Sequence, residues 1–113
     1  MEFFMKESIK ELMIRICEEN NTWEKTIDGC SLEGNKPNVE LYCQDEYFTA
    51  SLDAGTSCVF VYRNKKTNEL DWCNAFATGN TPEEALCKLD ELCKYIRNNY
   101  EAIVIDSKEF FKQ

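Results

Sequence analysis

Residues 72–100, which read WCNAFATGNTPEEALCKLDELCKYIRNNY, contain the strand-to-helix junction that decides the fold. Gly79 and Asn80 form the turn that ends the strand. Thr81 is then the N-cap of a helix, with Pro82 at the first helical position. Glu84 is expected to reach back to the N–H of Thr81 and complete a capping box. Apolar residues at steps of three and four predict an amphipathic helix: Ala85, Leu86, Leu89, Leu92, Cys93, Ile96 and Tyr100.

An earlier amphipathic helix is predicted over residues 3–19, because apolar residues again recur at helical spacing. These residues are Met5, Ile9, Leu12, Met13, Ile16 and Cys17. Residues 22–27 contain β-branched and aromatic side chains that could form a short edge strand. Residues 28–38, with Gly29, Gly34 and Pro37, are expected to form a loop, either functional or mobile.

Four strands are predicted between the helices, at residues 39–44, 46–52, 57–63 and 70–78. Their short connections favour an antiparallel meander, since parallel neighbours need long crossovers. The expected fold is therefore α+β: a helix, a four-stranded antiparallel meander and a helix, with both helices on one face of the sheet. Residues 1–100 would form the single domain. Residues 101–113 would be a C-terminal tail, with Ala102–Ile105 as an added strand or a strip that docks on the domain.

Alternation along the strands assigns the two faces of this sheet. One face is almost wholly apolar and should contact the helices: Val39, Leu41, Cys43, Phe48, Ala50, Leu52, Val59, Val61, Cys73, Ala75 and Ala77. The other face interleaves small polar residues with six aromatic ones: Tyr42, Tyr47, Phe60, Tyr62, Trp72 and Phe76. Tyr and Trp are enriched at interface hot spots, so we expect these six residues to form a binding surface.

Three interpretations of the aromatic face remain open. The tail at residues 102–105, or the segment at residues 23–27, could fold across it and cover it. Another protein or a second copy of the chain could bind there. A base or a small nucleotide could stack on it, as bases do on some RNA-binding sheets. The chain has 13 Lys and Arg against 21 Asp and Glu, a net charge of −8, which opposes direct binding of nucleic acid and of anionic membranes.

Composition restricts the chemistry further. The seven cysteines show no Cys-x-x-Cys pair and the chain has no histidine, so no metal site and no cofactor are expected. An odd cysteine count without a leader segment predicts free thiols in a reducing cytoplasm. Without histidine, neither a Ser-His nor a Cys-His nucleophile can form, and no phosphate-binding glycine loop is present. We therefore expect the protein not to be an enzyme.

The junction from Trp72 to Leu92 resembles the closing segment of small phage and prophage proteins of the ABA-sandwich kind, which also have a first helix, an antiparallel sheet and a final helix. It is similar as well to the strand-to-helix junction of the HicB antitoxin fold. The resemblance implies an origin in a mobile element. Small acidic phage proteins of this size often bind and block a host factor, including immune effectors such as CRISPR nucleases.

The function expected from the sequence is thus non-enzymatic. A phage-derived protein in the host cytoplasm would inhibit or sequester a host defence factor, for example a CRISPR effector, through protein–protein contact. One alternative is a homodimeric accessory protein that associates through its aromatic sheet face. The other is a binder of a small ligand or nucleotide that uses the same aromatic residues.

Overall fold

The protein has an α+β fold with three helices and five antiparallel strands in the part of the chain that a computed structural model describes, residues 7–20, 38–53 and 59–112. In chain order the elements are α1 (Ile9–Glu19), β1 (Asn38–Gln44), β2 (Tyr47–Asp53), β3 (Val59–Arg63), β4 (Leu70–Asn74), β5 (Phe76–Gly79), α2 (Pro82–Asn98) and α3 (Tyr100–Phe110). The predicted order of helix, antiparallel strands and helix is confirmed. The edge strand predicted at residues 22–27 lies outside the described residues, as does nearly all of the predicted loop.

A capping box sets the start of α1. The Ser8 hydroxyl accepts a hydrogen bond from the Glu11 N–H at 3.1 Å, and the Glu11 carboxylate accepts one from the Ser8 N–H at 3.0 Å. These bonds satisfy backbone donors that have no partner inside the helix. The helix α1 therefore begins at Ile9, directly after its N-cap Ser8. Residues 3–6 of the predicted helix lie outside the described residues.

The start of α2 differs from the expected capping box in one bond. The Thr81 hydroxyl accepts from the Glu84 N–H at 3.1 Å, as predicted. The Glu84 carboxylate accepts from the N–H of Asn80 at 3.3 Å, one residue before Thr81. A Cβ added to Gly79 would lie 2.7 Å from the backbone N of Ala85. Glycine is therefore required where β5 passes so close to the first turn of α2.

The C-terminal tail forms the helix α3, so the strand considered for Ala102–Ile105 is wrong. Asn99 separates α3 from α2, and its side-chain amide donates to the Tyr95 carbonyl at 2.8 Å. The β-branched residues at 103–105 favour a strand by local propensity alone. Packing of the helix against the rest of the fold overrides that preference. Ile103 is buried in the core, and α3 contacts β3 and β4.

The strands form two sheets instead of one four-stranded meander. β1, β2 and β5 form a three-stranded antiparallel sheet, and β3 pairs with β4. β4 and β5 correspond to the single strand predicted at residues 70–78, interrupted at Ala75, whose carbonyl accepts from the Leu52 N–H at 2.9 Å. In the β2–β5 ladder the numbers of two paired residues add up to 127, as for Ala50 and Ala77. In the β3–β4 ladder they add up to 133, as for Val59 and Asn74. The register thus shifts by six residues between the two ladders.

The core lies between the helices and one face of the three-stranded sheet. α1 contacts β1, α2 contacts β2 and β5, and the two helices contact each other. The prediction that both helices share one side of the sheet agrees with this arrangement. The buried apolar residues are Leu12, Ile16, Val39, Ala50, Leu52, Phe60, Val61, Ala75, Ala85, Leu86, Leu89, Cys93, Ile96 and Ile103.

Polar bonds join α1 to α2 at the edge of this core. Arg15 donates two hydrogen bonds to the Asp90 carboxylate, at 3.2 and 2.9 Å. Arg97 donates to the Asn20 side chain at 2.6 Å, and Asn20 in turn donates to the Ile16 carbonyl at 2.7 Å. None of the helices in the described part of the chain is long and apolar enough to cross a membrane.

Candidate binding surface

A groove runs across the face of the three-stranded sheet that is turned away from α1 and α2. Cross-strand partners share a face in antiparallel pairs, so Tyr42, Thr49 and Thr78 form one row across the sheet, and Glu40, Ser51 and Phe76 form the next. The groove has a volume of about 340 Å³ and will be called the outer groove. It is lined by Glu40, Tyr42, Tyr47, Thr49, Ser51, Leu52, Asn74, Ala75, Phe76 and Thr78.

The hairpin between β1 and β2 positions the two tyrosines of this groove. Gln44 pairs with Tyr47, which leaves a two-residue turn of Asp45 and Glu46. Asp45 has φ of 56°, a left-handed conformation that Asp adopts more readily than most residues and that two-residue hairpins require. The register then places Tyr42 opposite Thr49, so Tyr42 and Tyr47 emerge on the same face.

Three of the six predicted aromatic residues meet in the outer groove. Tyr42, Tyr47 and Phe76 line it, and their exposed fractions are 47%, 38% and 44%. Trp72 is 50% exposed but does not line the groove. It pairs with Val61 in the β3–β4 ladder, beyond the interruption at Ala75. The small polar residues between these aromatics, Thr49, Ser51 and Thr78, were assigned to the same face from the sequence.

The assignment of Phe60 to the exposed face is wrong. Phe60 is 3% exposed and belongs to the core, and Tyr62 is half-buried. Phe60 pairs with Cys73, which lies in the core row with Ala75 and Ala77. The segment Val59–Tyr62 is apolar at every position, so alternation did not distinguish its faces. The face of Phe60 is set by its pairing with Cys73, which the sequence places on the helix side, and that pairing is seen only in the structure.

The C-terminal helix does not remove the outer groove from solvent. α3 contacts β3 and β4, and Val61 on β3 is completely buried. The side chains of Tyr42, Tyr47 and Phe76, on the other sheet, stay exposed. The possibility that residues 102–105 cover the whole aromatic face is therefore wrong for the groove.

The electrostatics of the three buried or half-buried thiols, Cys17, Cys73 and Cys93, do not favour nucleophilic chemistry. Burial raises the pKa of Cys93 to about 12 and that of Cys73 to about 11, with a further contribution from Asp71 for Cys73. Burial also raises the pKa of Cys17. These thiols stay protonated at neutral pH, whereas a reactive cysteine needs its thiolate. Within the described ranges, no group of three or more Cys, Asp and Glu residues could hold a metal ion.

The chain matches no protein-family model, and it matches none of the curated proteins or solved structures with which it was compared. The arrangement of its own residues therefore carries the functional argument. That arrangement is an open groove with aromatic walls, a floor of small hydroxyl side chains and one carboxylate, Glu40, at the side. Such a surface can bind apolar and hydrogen-bonding groups.

Proposed function

We propose that this protein is a non-enzymatic binding protein that contacts a partner protein through the outer groove. The observation that supports the proposal is the exposure of Tyr42, Tyr47 and Phe76 around one concave surface. More than a third of the surface of each residue remains in solvent, and that exposed area contributes nothing to folding. Buried by a partner, each supplies a large apolar area at little cost in side-chain entropy.

The groove suits an inserted side chain from the partner better than a flat contact. Tyr42 and Phe76 form walls on β1 and β5, and Thr49, which is nearly buried, lies between them on the central strand. An apolar anchor residue would pack between the aromatic rings. The hydroxyl groups of Thr49, Ser51 and Thr78 would hydrogen-bond with the polar groups beside it.

Charge favours a different protein over a second copy of the chain. Each copy carries a net charge of −8, and Glu40 lines the groove itself. A two-fold contact between identical grooves would bring both sets of negative charge together. A partner with apolar anchor residues flanked by Lys or Arg would instead gain from electrostatic attraction.

The role that we propose for this contact is inhibition or sequestration of a host factor by a phage-derived protein, with a defence protein such as a CRISPR effector as the target class. The resemblance of residues 72–92 to small phage proteins supports this role, and the acidic surface is compatible with it. Blocking by occupation requires no catalytic group.

The test compares two double variants that remove similar amounts of exposed apolar surface. Tyr42→Ala with Phe76→Ala removes two walls of the groove. Ile14→Ala with Ile105→Ala removes two exposed side chains from α1 and α3. Proteins retained from host lysate by the wild-type chain are identified by mass spectrometry, purified and titrated against all three forms by calorimetry.

The groove variant should bind the purified partner at least about tenfold more weakly, while the control variant keeps wild-type affinity. Circular dichroism and thermal unfolding should show that both variants are folded. Equal affinity of the wild-type chain and the groove variant for every purified partner would contradict the proposal. A complex that forms only between copies of this chain would establish the homodimer instead.

A further inference from the structure

A second cleft lies on a different part of the molecule, between the β3–β4 hairpin and the C-terminal half of α2. Its volume is about 610 Å³, within the range of small-molecule sites. It shares no lining residue with the outer groove. It is lined by Phe60, Tyr62, Arg63, Asn64, Lys65, Lys66, Cys73 and Tyr95.

The rim of this cleft is basic, in contrast to the chain as a whole. Arg63 is the last residue of β3, Lys65 and Lys66 follow in the turn, and no acidic residue lines the cleft. Arg63 uses one guanidinium nitrogen to donate to the Asn68 carbonyl at 2.7 Å, which leaves its other donors for a ligand. Among the described carboxylates, none lies within ion-pair distance of Lys65 or Lys66.

The turn that carries these cations is held in shape by its own hydrogen bonds. The Asn64 side-chain oxygen accepts from the N–H groups of Lys66 at 2.8 Å and Thr67 at 3.2 Å. The Asn64 N–H donates to the Glu69 carbonyl at 2.8 Å, and Asn68 has φ of 61°. A fixed backbone lowers the entropic cost of bringing the cations to one ligand.

The interior walls of the cleft are aromatic. The rings of Phe60 and Tyr62 lie 6.1 Å apart at 48°, and Tyr95 of α2 is half-exposed. The Cys73 thiol, which also lines the cleft, is protonated at neutral pH and so adds no negative charge. The Tyr62 hydroxyl donates to the Asp71 carboxylate at 3.5 Å. An anionic group would therefore lie towards Lys65 and Lys66, away from Asp71.

We propose that this cleft binds a nucleoside monophosphate, with the base against Tyr62 and Tyr95 and the phosphate at Lys65, Lys66 and Arg63. A flat base matches aromatic walls because stacking needs only a π-face. A phosphate matches a cluster of cations, and the Arg63 guanidinium can hold it through paired hydrogen bonds. The three cations that line the cleft lie within four residues of the chain, a small set that fits a single phosphate better than a nucleic-acid strand.

Calorimetric titration of the full chain tests this site. The ligands are AMP, GMP, CMP and UMP, with the four corresponding nucleosides and inorganic phosphate as fragments. At least one monophosphate should bind with a dissociation constant below about 1 mM, and its nucleoside and phosphate alone should each bind at least about tenfold more weakly. The affinity should fall as salt is raised, because the phosphate contact is ionic.

Variants then locate the site. Lys65→Gln with Lys66→Gln should weaken binding of the monophosphate by at least about tenfold, the usual effect of losing charge-assisted hydrogen bonds. Tyr95→Leu should weaken it by a factor of about five or more through lost stacking. Lys10→Gln with Lys108→Gln is the matched control. It removes the same charge from α1 and α3 and should leave the affinity unchanged.

Three results would overturn the proposal: no monophosphate binds at about 1 mM, the nucleoside binds as well as its monophosphate, or the control variant loses as much affinity as the cleft variant. Binding of an acidic peptide but of no monophosphate would also overturn it, in favour of a peptide site. The inference does not rest on the proposed protein contact, because the two sites share no residue.

Discussion

Arg15 is the side chain that most directly fixes α1 against α2. Its guanidinium donates to Glu7 and Glu19 on its own side and to both oxygens of Asp90 on α2. The hydrogen bonds that Arg15 donates to Glu7, and then those to Asp90, raise the pKa of Arg15, which stays charged at any accessible pH. Burial by itself would raise the pKa of Asp90, but the hydrogen bonds and charge of Arg15 outweigh it and lower that pKa.

Replacing Asp90 by Asn should therefore destabilise the protein. The variant keeps the shape of the side chain but removes the negative charge that Arg15 and Lys94 contact. Since Arg15 is about one-third exposed, solvent screens part of the loss, and we expect about 1–2 kcal/mol in the free energy of unfolding. Urea unfolding at pH 7 measures it. Glu91→Gln, the exposed neighbour, is the control and should change stability by less than about 0.5 kcal/mol.

The same pair predicts a pH dependence with a definite sign. The pKa of Asp90 in the folded protein lies below its ordinary value of 3.8. Its stabilising contribution is therefore present above about pH 4 and is lost as the pH falls through the folded-state pKa. The difference in stability between the wild-type chain and Asp90→Asn should shrink as the pH is lowered from about 5 to 2. A difference that stays constant would mean that Asp90 does not titrate with folding.

At the scale of elements, α3 shows most clearly how helix and strand periodicity differ. In a strand, Ile103 and Ile105 would point to the same face. In a helix they lie on opposite sides, because two residues correspond to a rotation of about 200°. The structure places Ile103 in the core at 3% exposure and Ile105 in solvent at 65%.

Alanine substitutions at these two positions should therefore have very different effects. Ile103→Ala should lower the free energy of unfolding by about 2–4 kcal/mol, since it removes buried methyl groups and leaves a cavity. Ile105→Ala should change it by less than about 0.5 kcal/mol. Chemical denaturation of both variants and the wild-type chain provides the comparison. Equal losses at both positions would indicate a strand.

An element could be predicted from the sequence where the interactions that determine it join residues close together in the chain. The α2 cap is local: Thr81 and Glu84 interact across three residues, so the start of that helix was predicted correctly. Alternation along strands with one clearly polar face predicted the outward position of Tyr42, Tyr47 and Phe76. Phe60 did not, because its face depends on the pairing with Cys73, thirteen positions away. Such non-local pairing has no signature in a single sequence.

At the scale of the whole molecule, the protein has a net charge of −8 and a pI near 4.6. Copies of the protein should repel one another at neutral pH, including at the outer groove, where Glu40 lies beside the aromatic walls. The outer groove itself offers only three exposed aromatic residues, Tyr42, Tyr47 and Phe76, which is modest for a stable dimer interface. We therefore expect the free protein to be a monomer.

Sedimentation equilibrium at pH 7 should show a single species of 13.2 kDa at low salt. Raising the salt to about 0.5 M screens the repulsion between copies, so a monomer at this salt concentration is the stricter test of the expectation. A species of twice that mass, converted to monomer by Trp72→Ala with Phe76→Ala, would contradict the expectation and identify the sheet face as a dimer interface.

The six-residue shift in register between the two ladders has a consequence for the length of residues 70–79, which supply one strand to each ladder. Side chains alternate with a period of two along a strand, so an even shift keeps Cys73 on the same side as Ala77. Phe60, which pairs with Cys73, therefore packs into the same core as Ala50, which pairs with Ala77. An insertion or deletion of one residue between Cys73 and Ala77 would turn one of these pairs away from the core, whereas a change of two would not. We therefore expect this segment to tolerate changes in length only by even numbers of residues.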